Sequence, residues 1–297
     1  KADLRVNGML LGSRNLNPIA HWKFDGNITD SVGGLTGVSK SHSGALYADT
    51  YTTGPTSTNN TNKAIDFSGS SSTSGNYIDL SSHASALADF SEGFSFVGWV
   101  MWDSLNAGSR IFDLGQGSSN DNILLANNNT TTGLKFEIYS GSSNANSYFT
   151  TTSYITTGTW IHVGVTYNNE TKKVIIYKNG VLSNSDTFDN SIANVARTSS
   201  FIGKSNWGDS YFNGKMSDLR IYKTTLTAEE VYYIYYYSGI GDGNQYNQPY
   251  TKGIKLVDSG DVGIGTLNPS SKLHVEGSIR NDTGVVSFTG AHDIEKA

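Results

Sequence analysis

The chain has 297 residues, no cysteine, and a formal net charge of −5 from 21 Lys and Arg against 26 Asp and Glu. This excludes disulfides, thiol catalysis and cysteine-based zinc or iron–sulfur centres, and gives no general attraction to nucleic acid or to anionic membranes. Charged residues make up only 16%, against roughly 25% in a typical soluble domain, so polarity rests on neutral Asn, Ser, Thr and Gly.

The chain starts at Lys1 with Leu4-x-Val6-x-Gly8, a strand-like alternation. Short apolar runs bounded by Gly, Asn or Ser follow, the pattern of an all-β sandwich. Strands are expected at 19–24, 64–67, 77–80, 94–101, 110–114, 122–126, 134–139, 160–167, 173–178, 201–203 and 214–222. Asn179-Gly180 marks a tight hairpin, because a primed turn needs residues that tolerate positive φ. The polar stretches 50–62, 68–76, 115–121 and 127–133 read as solvated loops. Thr227-Ala228-Glu229-Glu230 has capping-box spacing, and Val231, Ile234 and Tyr235 fall on one face of a short helix that stops at Gly239.

Beyond a polar linker at 239–252, the stretch 253–297 holds strands too short for a private core. Its Leu273-x-Val275-x-Gly277 repeats the N-terminal pattern. Arg-Asn closely follows both copies, at Arg14-Asn15 and Arg280-Asn281. The expected organisation is a shaft-like segment at 1–17, a sandwich at 18–238, and a second shaft-like segment at 253–297. No apolar run approaches the roughly 18 residues of a membrane-spanning helix, so no membrane insertion is expected. The absence of Met and of a signal-like core at the start points to a processed product or an excised fragment.

Residues 18–238 resemble the laminin-G-like, concanavalin A-type jelly roll. The blocks run in that family's order: AHWKFDGN and TDSVGG within 20–34, KAIDFSGS at 63–70, YIDL at 77–80, FSFVGWV at 94–100, TWIHVGVTYNNETKKVIIYKNGVL at 159–182, and FIGKSNWGDSYFNGKMSDLRIYKTTLTAEEV at 201–231. The tail GDVGIGTLNPSSKLHVEGSI at 260–279 resembles a shaft motif of bacteriophage tail fibres and of virion proteins of large algal viruses. FTGAH at 288–292 resembles the lead-in to their C-terminal processing cassettes. The second resemblance implies an intertwined homotrimer, in which Ile264, Leu267, Leu273, Val275 and Ile279 find burial around a three-fold axis.

Jelly rolls of this type include glycosidases, which hold two carboxylates across a cleft. Here Glu137 has no partner nearby in sequence, and most Asp residues sit beside Gly, Asn or Ser, where they serve turns. His21, His42, His83, His162, His274 and His292 show no metal-binding spacing, and His162 lies where the family has a structural histidine. No enzyme is expected. The Asn-x-Ser/Thr triplets at Asn27, Asn59, Asn128, Asn129, Asn169 and Asn281 are no more than this composition yields by chance.

The resemblance implies a calcium ion held by Asp25, Asp30 and Asp218, since that ion takes six to eight oxygens from aspartates and loop carbonyls. Asn206, Trp207, Asp209 and Tyr211 form a loop with an aromatic and short polar groups, the makings of a sugar site. Trp102 is the second aromatic expected to bind ligand. The reading is a non-catalytic virion or tail-fibre protein, at the virion surface or extracellular, that binds a host-surface glycan and touches other virion proteins. The alternatives are a structural virion protein with no glycan, and a secreted polysaccharide-binding adhesin.

Overall fold

The computed structural model describes residues 4–6, 9–11, 16–55, 63–149, 153–238, 254–256, 262–264 and 272–275. Two compact units are present: 17–243, and a second one made of 1–16 with 244–297. The expected linker at 239–252 and the FTGAH stretch lie outside the described residues.

In the larger unit the strands are β3 (Ala20–Trp22), β4 (Val38–Ser41), β5 (Thr50–Thr53), β6 (Lys63–Ser68), β7 (Asn76–Asp79), β8 (Phe94–Trp102), β9 (Arg110–Gly115), β10 (Ile123–Asn127), β11 (Leu134–Ser140), β12 (Ser143–Phe149), β13 (Ile161–Tyr167), β14 (Lys173–Lys178), β15 (Val181–Thr187), β16 (Ser199–Ile202) and β17 (Asn213–Tyr222). They form two antiparallel sheets. One runs β12-β11-β10-β9-β16-β7-β4; the other runs β15-β14-β13-β8-β17-β6-β5, with β3 also paired to β17. This is an all-β jelly-roll sandwich with one short helix, as its strand periodicity implies.

Phenylalanines join the layers. Phe94 and Phe96 on β8 meet Phe112 on β9 at ring separations of 5.8 and 4.8 Å, and Phe94 meets Phe136 on β11 at 6.2 Å. Buried Arg197 donates to the carbonyls of Leu87, Ala88 and Ala193 at 2.8–3.0 Å and of Asp121 at 3.1 Å, so one side chain satisfies loop acceptors that the sandwich excludes from water.

Helix α1 (Ala228–Ser238) covers the outer face of the eight-stranded sheet. Tyr235 packs on Trp99 and His162 at 5.6 Å from each. Gly164 lets the helix approach, because a Cβ there would meet Val231 and Tyr177 at 3.2 Å. The Asn179-Gly180 turn joins β14 to β15 with φ of 52° and 75°. Strand β5 occupies the start of a stretch expected to be loop. It pairs with β6 as a sheet edge, where exposed threonines at both ends need no apolar alternation.

The smaller unit contains β1 (Leu4–Val6), β2 (Met9–Leu11), β18 (Ile254–Leu256), β19 (Val262–Ile264) and β20 (Leu273–Val275). β1 pairs antiparallel with β2, β18 antiparallel with β19, and β19 parallel with β20. The two Leu-x-Val repeats are thus both strands, β1 and β20.

Candidate functional site

With α1 lying on one sheet, the outer face of the seven-stranded sheet is where polar and aromatic side chains gather. A single row crosses six strands in register: Glu137, Leu124, Asp113, Phe201, Asp79 and Val38. Its three carboxylates each have a cation. Lys135 reaches Glu137 at 2.7 Å, Lys40 reaches Asp79 at 2.7 Å, and the Arg110 Nε stands 3.8 Å from Asp113.

The loop 203–212, between β16 and β17, lies against this face. Asp113 is its anchor. Its carboxylate accepts from the Asn206 amide and side-chain Nδ2, both at 2.9 Å, and from Asn122 Nδ2 at 2.8 Å. Burial pushes the Asp113 pKa up, against the opposing pull of Arg110 and these donors. Ser205 Oγ accepts from the Trp207 amide at 3.0 Å, a Ser turn that fixes the tip. Asp209 accepts from Ser205 Oγ at 2.9 Å and from Arg110 Nη2 at 2.7 Å.

These bonds hold Trp207 half-buried, its ring 5.3 Å from Tyr139 and 5.5 Å from the Arg110 guanidinium. The result is a tilted aromatic pair beside a cation and a half-exposed carboxylate, on a loop with little freedom. Such a surface suits a ligand with flat apolar C–H faces and many hydroxyls.

The expected ligand residues divide accordingly. Trp207 and Asp209 are presented at the surface. Asn206 turns its polar atoms inward, with Oδ1 accepting from Ser199 Oγ at 2.6 Å. Tyr211 is buried, with its hydroxyl 3.3 Å from His42 Nδ1. Trp102 must be corrected: it is fully buried in the sandwich core against Phe212, and no ligand reaches it. The alternation of Phe94, Phe96, Val100 and Trp102 on one side of β8 is the signal that marks it as core. Tyr139 and Arg110 were missed. The run Lys135, Glu137, Tyr139, alternating with Leu134, Phe136 and Ile138, puts Tyr139 outward; nothing in the sequence ties it or Arg110 to Trp207.

The three aspartates expected to hold calcium do not fit that ion. Asp30 accepts four backbone amides, from His21, Val32, Gly33 and Leu35, at 2.7–3.1 Å. Asp218 accepts from Arg220 Nη2 at 2.6 and 2.8 Å and pairs with His21 Nε2. Asp25 is exposed on a turn. A cation would compete with a buried guanidinium. Among the described residues no three His, Asp or Glu gather as a metal cluster. Glu137 and Asp113 flank Leu124 two strands apart, roughly 10 Å by strand spacing, and each is engaged as described.

Residues 71–232, more than half of the chain, match the Laminin_G_3 family of the concanavalin A-like lectin/glucanases superfamily, and the chain belongs to that family. Domain 4 of AbnA, an extracellular GH43 arabinanase from Geobacillus stearothermophilus solved with arabinotriose, is 26% identical with a TM-score of 0.56, covering 74% of this chain and 98% of that one. The receptor-binding domain of botulinum neurotoxin type G shares the fold at 16% identity and a TM-score of 0.53, covering 75% of this chain and 51% of that one. No curated protein matches the sequence. Among the described residues no helix is long and apolar enough to cross a membrane.

Proposed function

We propose that the chain is a non-catalytic carbohydrate-binding module that holds a host-surface glycan on the outer face of the seven-stranded sheet. The observation that carries this is Trp207. It is half-exposed beside Tyr139 and Arg110, on a loop whose amides and side chains are tied to buried Asp113. An indole held this way presents a stacking surface without ordering on binding, which lowers the entropic cost of a weak polar ligand. The arabinotriose complex of the similar GH43 domain supports the ligand class.

The setting we propose is a homotrimeric, fibre-type virion protein, displayed on the virion surface or otherwise extracellular, alongside other virion proteins. The tail motif and the three-residue strands β1, β2 and β18–β20 support it, since strands so short gain stability from neighbouring copies.

A glycan array probed with the full chain tests the ligand, and Trp207→Ala tests the site. The variant is expected to lose binding at least tenfold with an unchanged urea midpoint. Undiminished binding would reject the site, and silence across the array would favour a structural coat role.

A further inference from the structure

The same loop has a second end. Lys204, its second residue, extends its ammonium over two rings of the sheet face, 4.3 Å from the Tyr77 centroid on β7 and 4.3 Å from the Phe201 centroid on β16. Tyr77 and Phe201 meet edge to face at 5.5 Å and are themselves buried, so the cation sits on a built aromatic floor. Lys204 is half-buried, and among the described residues its ammonium has no hydrogen-bond or ion-pair partner.

The neighbouring carboxylate attracts it through space but makes no hydrogen bond or ion pair with it among the described residues. Asp79 is taken by Lys40 Nζ at 2.7 Å and by the Ser81 amide at 2.9 Å. Burial works against that carboxylate, yet these donors prevail and hold its pKa below the usual range. Lys40 stands opposite Tyr77 in the β4–β7 register, its charge balanced by Asp79. Burial pushes the Lys204 pKa down, the charge of Asp79 pulls it back up, and Lys40 adds a smaller downward push. Aromatic faces attract an ammonium but accept none of its three N–H groups in the way an oxygen does. An arriving anion would supply what is missing.

We infer that Lys204, on its Tyr77–Phe201 floor, is the subsite for an acidic substituent of the bound saccharide, a carboxylate or a sulfate. This deepens the glycan-binding reading and rests on it. One loop then spans both ends of the site, with Trp207 stacking one sugar ring and Lys204 reading the charge of another ring further along the saccharide, since their partner rings lie three to four strands apart. The chain's net charge of −5 disfavours anions in general, so selectivity depends on Lys204, since Lys40 is already paired with Asp79.

The test is calorimetric titration of the full chain with oligogalacturonate, its carboxyl-reduced neutral counterpart, and a sulfated galacto-oligosaccharide. At least one acidic ligand is expected to bind tenfold or more tightly than the neutral one, and the stronger of the two names the anion. Lys204→Met keeps the stem over the rings and removes the charge; it should erase that preference, and Lys204→Arg should restore part of it. Equal affinity for acidic and neutral ligands, or a preference that survives Lys204→Met, overturns the subsite and leaves the glycan reading standing. Failure to bind any sugar, here and on the array, overturns both. Should Lys204→Met unfold, the Lys204 side-chain NMR signal in the unmodified protein decides: an acidic ligand must shift it, and an unmoved signal rejects the assignment.

Discussion

His162 lies fully buried between Trp99 and Tyr235, at ring separations of 5.2 and 5.6 Å, and neither ring nitrogen has a hydrogen-bond partner among the described residues. Burial drives its pKa down to about 3. The folded state therefore keeps His162 neutral, while the unfolded chain takes up a proton near pH 6.5. The stabilisation is complete above pH 6.5 and is lost as the pH falls toward 3, by up to about 1.4 kcal/mol per pH unit from this one group. Buried His21, also shifted down by burial, adds a loss of the same sign. His162→Phe should match the parent or exceed it at pH 7 and lose stability less steeply between pH 6 and 4, read from urea midpoints across pH. Parallel slopes in the two proteins would refute this account. Trp102 makes the complementary case. Trp102→Ala should cost about 3–5 kcal/mol, as large-to-small core changes do, with no loss of glycan affinity in the fraction that remains folded. At this scale the sequence was legible where side chains alternate along a strand. It was not legible where function depends on neighbours brought together by the loop, as with Trp207, Tyr139 and Arg110.

At the scale of elements, α1 shows local and tertiary signals agreeing. Glu230 Oε2 accepts from the Thr227 amide at 2.8 Å, and Thr227 Oγ1 accepts from the Glu230 amide at 3.2 Å, closing the capping box that the spacing implies. Thr227→Ala should lower stability by about 1 kcal/mol. Because the helix lies on Trp99 and His162, loosening it should also raise the quenching of tryptophan fluorescence by acrylamide; unchanged quenching with an unchanged midpoint would contradict this role. The strands that the sequence did not announce are β4, β5 and β12, while β15 is signalled only by the hairpin turn before it. Each lies at a sheet end. An end strand lacks one hydrogen-bonded neighbour, so a polar run such as Thr50–Thr53 suffices and leaves no apolar period to read. The pairing of Asp218 was hidden from the sequence for a related reason. The bulge between Ser217 and Arg220, with Asp218 at φ 55°, turns Asp218 onto Arg220 and His21, a pairing invisible in a strand read as regular.

For the whole molecule, the two units carry different burdens. The sandwich buries a continuous core of its own, whereas the five described strands of the smaller unit are three residues each. A shallow aromatic platform on a rigid sheet binds one saccharide weakly, so a useful receptor contact requires several platforms acting together. Linked sites gain about 10²–10⁴ in avidity when their geometry allows simultaneous engagement. The proposed trimer therefore predicts a specific difference. The full chain should sediment at three times its 32.0 kDa mass and hold a glycan-coated surface with slow release, while a soluble oligosaccharide binds each copy independently with the weak affinity of one site. A fragment limited to residues 17–243 should keep that weak affinity and lose the slow release. If the full chain sediments at the mass of one copy and leaves the surface as fast as the fragment, the smaller unit has no part in assembly. If both are trimers with equal release, assembly resides in the sandwich, with the exposed edge of β15 the first place to look.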